Sequence, residues 1–229
     1  MDIDNEDVPV SLPTETHPLA STADTGRAGI ILAGGRSERF PTIDKALAPL
    51  DGTSLIHHVA AALAPVVDTL VVNCRRDQRE AFADELADFD PTFAIDAVPD
   101  RGPLVGLRTA LAETTATYAA VAPCDMPSIP AAFIDYLFSR ATNRTGAVPR
   151  VDGHVQPLPA ALHVRAAAAA CAEAREQHAD RLGEFIPLLD PFVVPERVVR
   201  AHVDPDAFAN INTHDDLAAA RGHGPRADQ

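Results

Sequence analysis

The chain has 229 residues, 33 acidic against 19 basic, for a formal net charge of −14 at pH 7. So acidic a chain, with no basic block, repels nucleic-acid backbones, which excludes a DNA- or RNA-coating role. No run of about 18 apolar residues is present, which excludes a membrane-spanning helix.

Three cysteines (Cys74, Cys124, Cys171) lie far apart and make neither a disulfide framework nor a Cys-x-x-Cys metal site. Their use fits a reducing cytoplasm. The acidic start lacks the apolar segment of a secretory signal. Eighteen of the 19 basic residues are Arg, and Lys45 is the single Lys. Excess acid with Lys nearly absent reads either as adaptation to a salt-rich cytoplasm or as the Arg and Ala bias of a GC-rich genome.

Residues 1–26 are acidic, rich in Pro and Thr, and poor in large apolar side chains. Such a segment cannot bury enough surface to offset its ordering entropy, so it reads as a disordered leader. Gly29–Ala33 is a short apolar run ending at Gly34-Gly35, as a buried parallel strand would. Leu55–Leu63 predicts a helix capped by Thr53 or Ser54. Thr69–Asn73 is a second buried strand, Gln78–Phe89 a polar-faced helix and Thr92–Asp96 a third strand. Leu104–Glu113 predicts a helix with Pro103 in its first turn. Tyr118–Ala122 is a fourth strand, and Ile129–Ser139 another helix.

The alternation then weakens. Gly146–Val151 and Val155–Val164 read as a hairpin or paired strands. Arg165–Gln177 holds five consecutive alanines and predicts a helix by propensity. Val198–Val203 reads as a late strand. Thr213–Arg221 predicts a last helix, capped by Thr213 or Asn212. Glu184, Asp190 and Glu196 sit in a Pro-rich stretch and read as surface. Residues 222–229 read as a frayed tail, leaving one domain over 27–221.

Strands alternating with helices predict βαβ units and a mostly parallel sheet flanked by helices, an α/β fold. In such sheets ligands bind at the carboxyl ends of strands. Four predicted strand ends carry Gly34-Gly35, Asn73, Asp96 and Asp125, so the strand assignment alone brings them together.

The stretch Leu32-Ala33-Gly34-Gly35-Arg36-Ser37-Glu38-Arg39-Phe40-Pro41-Thr42-Ile43-Asp44-Lys45 carries the strongest chemical signal. Glycines let backbone approach a ligand closely, and successive N–H groups there can form an anion-binding concavity. Arg36, Arg39 and Lys45 add three positive charges to an acidic chain. A Gly-Gly pair is otherwise a plain tight turn, but the single Lys at this spacing favours phosphate binding. The pattern is neither the dinucleotide fingerprint nor the P-loop.

Asp125, just past a strand, offers the carboxylate oxygen a hard cation such as Mg²⁺ prefers; a helix cap is the alternative. Asp96 and Asn73 read equally as strand-end polar residues. Gly102-Pro103-Leu104-Val105-Gly106 opens a helix whose small residues would let a ring approach its first turn. Cys124 reads as a small packed residue, not a nucleophile. His57 and His58 fall on different sides of a helix, and the nine His residues show no metal-ligand spacing.

The first block resembles the L-x-G-G-x-x-x-R-x-G-x-x-K signature of sugar-phosphate and cofactor nucleotidyltransferases. Together with Asp44-Lys45-Ala46-Leu47, Val71-Val72-Asn73, Gly102-Pro103-Leu104-x-Gly106-Leu107, Cys124-Asp125-Met126-Pro127 and Asn210-Ile211-Asn212-Thr213 with Asp216-Leu217, it resembles the molybdenum cofactor guanylyltransferases from about residue 28 to 220. That resemblance implies a Rossmann-like nucleotidyltransferase domain transferring GMP from GTP to molybdopterin cofactor, with Mg²⁺. It implies catalytic roles for Lys45, Arg39 and Asp125, with Asp125 also the metal ligand. It implies nucleotide contacts at Leu32, Ala33, Gly34, Gly35, Lys45, Asn73, Asp96, Gly102 and Asp125, and pterin contacts at Asn210 and Asn212. It further implies transient contact with molybdoenzymes or cofactor carriers.

Proline stands at 41 where the signature has glycine. Pro41 has no N–H and a fixed φ, so it cannot supply an N–H contact or a positive φ there: either the loop takes a different local path, or phosphate affinity rests more on Arg39 and Lys45. The rival readings are another acceptor (a cobinamide phosphate or a phospholactate), CTP as donor, and a non-catalytic nucleotide-binding regulator.

Overall fold

The computed structural model describes residues 26–35, 40, 43–98 and 102–220. Strand β1 (Arg27–Leu32) lies in the middle of the main sheet, and all but its first residue are buried. Its side chains alternate between two cores: Ile31 faces one, while Ala28, Ile30 and Leu32 face the other. A strand covered on both faces needs apolar residues at every position, hence its unbroken hydrophobic run.

Short strands β2 (Pro49–Leu50) and β3 (Thr53–Ser54) form a separate hairpin. Helix α1 (Leu55–Leu63) follows, and Ser54 is its cap: the Ser54 hydroxyl accepts from His57 N at 3.2 Å and donates to Glu85 at 2.6 Å. Next come β4 (Thr69–Cys74), α2 (Arg79–Glu85), β5 (Thr92–Ile95), α3 (Pro103–Leu111), β6 (Tyr118–Pro123) and α4 (Ala131–Ala141). These match the predicted elements to within a few residues. The helix predicted over Gln78–Phe89 breaks after Glu85 and resumes as a 3₁₀ turn over Ala87–Phe89.

The second half contains β7 (Gly146–Val151), β8 (His154–Val155), β9 (Ala160–His163), α5 (Val164–Glu176), α6 (Leu182–Leu189), β10 (Phe192–Val194), α7 (Glu196–His202) and α8 (His214–Ala220). Among the described residues the main sheet runs β10-β7-β9-β6-β1-β4-β5, with β8 paired to β7. β6, β1, β4 and β5 are mutually parallel, whereas β9 runs antiparallel to both β6 and β7. The mostly parallel α/β sheet expected from the sequence is therefore present.

Helices cover both faces. Ile56, Val59 and Leu63 of α1, with Phe133, Ile134 and Leu137 of α4, pack on one face. Leu107 of α3, Ala167 of α5 and Phe185 of α6 pack on the other. A third, small cluster joins Phe40, Leu50 and Leu55 to Ile211 and Leu217, which docks α8 beside the start of α1.

The late strand predicted over Val198–Val203 is instead helix α7. Pro195 is extended at its N-cap, Glu196 opens the first turn, and Glu196 pairs with Arg200 one turn on at 2.7 Å. These start signals outweigh the β-branched Val198-Val199 pair, of which only Val199 is buried. Helix α6, with Pro187 inside it, and the three-residue β10 fall in the stretch that reads as Pro-rich surface. Among the described residues no helix is long and apolar enough to cross a membrane.

Candidate active site

The carboxyl ends of β1, β4, β5 and β6 open onto one cavity of about 530 Å³. Leu32, Ala33, Gly34, Gly35, Lys45, Asn73, Asp96, Gly102 and Asp125 all line it, so the predicted nucleotide-contact set is gathered in one place. Pro103, Val105, Leu158 and Val98 supply an apolar wall. Arg36, Arg39 and Pro41, expected at the phosphates, lie outside the described residues.

Lys45 opens a single 3₁₀ turn whose N-cap is Asp44; Asp44 Oδ1 accepts from Ala46 N at 3.0 Å. The Lys45 ammonium reaches back into the cavity. It donates to Asp125 Oδ2 at 2.7 Å and to Asn212 Oδ1 at 3.0 Å. The Lys45 and Asp125 side chains are 18% and 17% exposed, so the pair is shielded yet open to a ligand. Asp125 lies two residues past the end of β6, and its backbone oxygen accepts from Ile211 N at 2.9 Å, tying in the segment that carries Asn212.

Asn212 therefore does not cap α8. Thr213 does: its hydroxyl accepts from Asp216 N, while Asp216 Oδ2 accepts from the N–H groups of Asn212 and Thr213. Asn210 is exposed, and neither it nor Asn212 is part of the cavity lining.

Asn73 is 2% exposed, not a strand-end residue in solvent. Its amide donates to Ala94 O at 3.2 Å and to Asp96 Oδ1 at 2.8 Å. A β-carbon at 106 would lie 3.0 Å from Asn73 Cγ, and one at 34 would lie 2.7 Å from Asp96 Oδ2. The small residues of 102–106 predict room for an approaching ring. At Gly106 the space is instead taken by Asn73, which in turn aims Asp96. Gly102 has φ +85°, a backbone conformation suited to glycine, immediately before α3.

Two residues of the site escape sequence reasoning. Arg75 Nη1 donates to the carbonyls of Gly34 and Gly35 at 3.2 and 2.6 Å, and its other edge faces Asp77 and Asp44. Buried Gln78 donates to Ala33 O at 3.1 Å and to Asp44 Oδ2 at 2.7 Å. Arg75 thus supports the glycine pair from behind, with its charge set against Asp44 and Asp77. Only an Arg and a Gln closely following a strand end hinted at either.

Burial pushes the Cys124 thiol up to about 12, with the Asp125 carboxylate adding to the shift and Lys45 opposing it. Cys124 is a buried, protonated group in the cavity lining, small and packed as expected from the sequence. Among the described residues no cluster of three or more His, Cys, Asp or Glu could hold a metal ion.

The mostly parallel sheet thus gathers a glycine pair, a lysine and a carboxylate around one cavity at its strand ends. The solved structure of molybdopterin-guanine dinucleotide biosynthesis protein A from Archaeoglobus fulgidus superposes with a TM-score of 0.67 at 25% identity, covering 85% of this chain and 96% of that one. A model of the MobA-like NTP transferase domain matches residues 29–187, and the chain belongs to that family. A probable molybdenum cofactor guanylyltransferase of Haloferax mediterranei is 54% identical over 196 residues, 86% of this chain and 93% of the relative. One from Natronomonas pharaonis is 42% identical over 195 residues, 85% and 96% of the two chains.

Proposed function

We propose that this enzyme transfers GMP from GTP to the phosphate of molybdopterin cofactor, releasing pyrophosphate and the guanine dinucleotide form of the cofactor. The observation that carries this reading is the junction of Lys45 with Asp125 and Asn212, its Lys45 and Asp125 lining one cavity with Gly34 and Gly35, in a chain 54% identical to a probable molybdenum cofactor guanylyltransferase.

A terminal phosphate oxygen of the pterin attacks the α-phosphorus of GTP. The bond from the α-phosphorus to the bridging oxygen breaks, and pyrophosphate leaves with that electron pair. Such transfer needs alignment and charge neutralisation more than a protein nucleophile. Backbone N–H groups of Gly34 and Gly35 would receive phosphate oxygens. Lys45, with Arg39, would hold the charge that builds on the leaving pyrophosphate. The apolar wall of Pro103, Val105 and Leu158 can take the flat base, with Asp96 as the hydrogen-bonding group beside it. Asn212, already on Lys45, together with Asn210 would face the acceptor side.

The residues present fit Mg²⁺. That ion takes one or two protein carboxylates and completes its shell with water and substrate phosphates, and Asp125 is a shielded single carboxylate at the right strand end. Bound there, Mg²⁺ would neutralise phosphate charge. We further propose a reducing cytoplasm as its setting, which three buried free thiols suit. Transient contact with molybdoenzymes or carriers would hand the product on.

The test is pyrophosphate release from GTP and Mg²⁺ with molybdopterin supplied. Release is expected with GTP and not with CTP. Release with CTP alone would overturn the base assignment, and GTP binding without turnover for any acceptor would overturn the enzymatic reading.

A further inference from the structure

The glycine loop is held from behind at three consecutive carbonyl oxygens. Gln78 takes Ala33 O, and Arg75 takes Gly34 O and Gly35 O. In a trans peptide the C=O and the N–H of the same unit point in opposite directions. Fixing the Ala33 and Gly34 carbonyls toward the β4–α2 turn therefore aims the Gly34 and Gly35 N–H groups the other way. Both glycines line the cavity.

The same turn also holds the far end of the loop. Gln78 Nε2 bridges Ala33 O and Asp44 Oδ2, and Arg75 Nη2 lies 3.6 Å from that same Asp44 oxygen. Asp44 caps the turn that begins with Lys45. Residues 33 and 44, eleven apart in sequence, are thus clamped to one another through Gln78. The clamp is itself braced: Gln78 Oε1 accepts from Arg75 N at 2.7 Å, and Asp77 faces the Nε–Nη2 edge of Arg75 at 3.3 Å for each contact.

We infer that Arg75 and Gln78 are positioning residues that pre-form the phosphate-binding loop and set Lys45 against it. This rests on the nucleotidyl-transfer reading for its kinetic consequence but not for its structural one. Arg is required because Nη1 meets two carbonyls while the Nε–Nη2 edge meets carboxylates, a planar arrangement that an ammonium cannot imitate. Its charge is set against Asp44 and Asp77, so its contribution is geometry. Binding to a loop that is only fractionally in the competent form weakens apparent affinity by that fraction.

The experiment uses the full chain with Arg75→Ala, Arg75→Lys and Gln78→Ala. NMR order parameters at the Gly34 and Gly35 amides are read without ligand, and kcat and KM for GTP are read separately. In the wild type the amides should sit near the rigid value of about 0.85, falling below about 0.6 in Arg75→Ala. KM for GTP should rise about tenfold or more, with kcat within about threefold, because the bound loop is restored by its ligand. Arg75→Lys should fall between, and it gives the same reading if Arg75→Ala does not fold. Unchanged order parameters, or a loss confined to kcat, would overturn the inference. If the wild type turns over no GTP yet the amides loosen in the variants, the positioning role stands and the proposed activity falls.

Discussion

Gly106, in the first turn of α3, stands against the side chain of Asn73 so closely that a β-carbon at 106 would lie 3.0 Å from Asn73 Cγ and nearer still to its oxygen. Asn73 cannot retreat, because it is buried in β4 and bonded to Ala94 O and Asp96. The glycine is the condition for Asn73 to hold Asp96 at the cavity wall. Gly106→Ala should therefore cost about 1–3 kcal/mol through overpacking. It should also reduce turnover by about 10²-fold, the scale of a roughly 1 Å misplacement near the chemistry. Chemical denaturation and steady-state kinetics check both; a fully active, fully stable variant would show that Asn73 has room to move.

Lys45 meets Asp125 and Asn212 in one shielded junction, and its removal is felt on both sides. Lys45→Ala should lower the rate of pyrophosphate release by roughly 10²-fold or more, as loss of one preorganised charge contact does. Lys45→Arg should not restore it, because a planar fork does not replace a compact ammonium between two oxygens. The measurement is kcat/KM for GTP. Full activity in Lys45→Ala would remove the loop from the phosphate site.

Much of this site is legible in the sequence for one reason. In a parallel sheet all strand ends point the same way, so recognising β1, β4, β5 and β6 as strands brings Gly34, Asn73, Asp96 and Asp125 together without any knowledge of tertiary structure. Arg75 and Gln78 are opaque for the opposite reason. Their partners are backbone carbonyls about 40 residues away, and a carbonyl leaves no mark in a residue pattern. Asn212 has two plausible jobs in sequence, and only the packing of Ile211 and Leu217 against Phe40 and Leu55 carries it to Lys45 instead of to its own helix. Helix α7 is misread because a two-valine window favours a strand, while its helix signals lie in Pro195 and the Glu196–Arg200 pair just outside that window.

All three cysteines are buried and free, and burial is the first cause holding Cys74, Cys124 and Cys171 up at about 12. The native chain should therefore show no fast reaction with a thiol reagent, and three equivalents should react after denaturation. The pH dependence follows the same direction. A thiol whose pKa is raised on folding keeps its proton in the native state while the unfolded chain loses it, so stability falls as pH rises above about 9. Melting temperature should decline between pH 9 and 11, and Cys171→Ala should make that decline shallower. A native thiol that reacts at once would contradict the packing around it.

The net charge of −14 sets the last prediction. Self-repulsion in a compact acidic chain opposes folding and is screened by salt, with a Debye length near 10 Å at 0.1 M and about 3 Å at 1 M. Melting temperature should accordingly rise from dilute buffer to molar KCl. The segment before Gly26 carries six acids and no Lys or Arg, and we propose that it is a leader dispensable for the fold. Deleting residues 1–25 should leave turnover intact and weaken the salt response, because it removes like charge while every described residue of the sheet and cavity stays in the chain. A deletion that fails to fold would make the leader structural. A melting temperature indifferent to KCl in the full chain would show that the acidic side chains stand too far apart to repel, and that the near absence of Lys reflects composition alone.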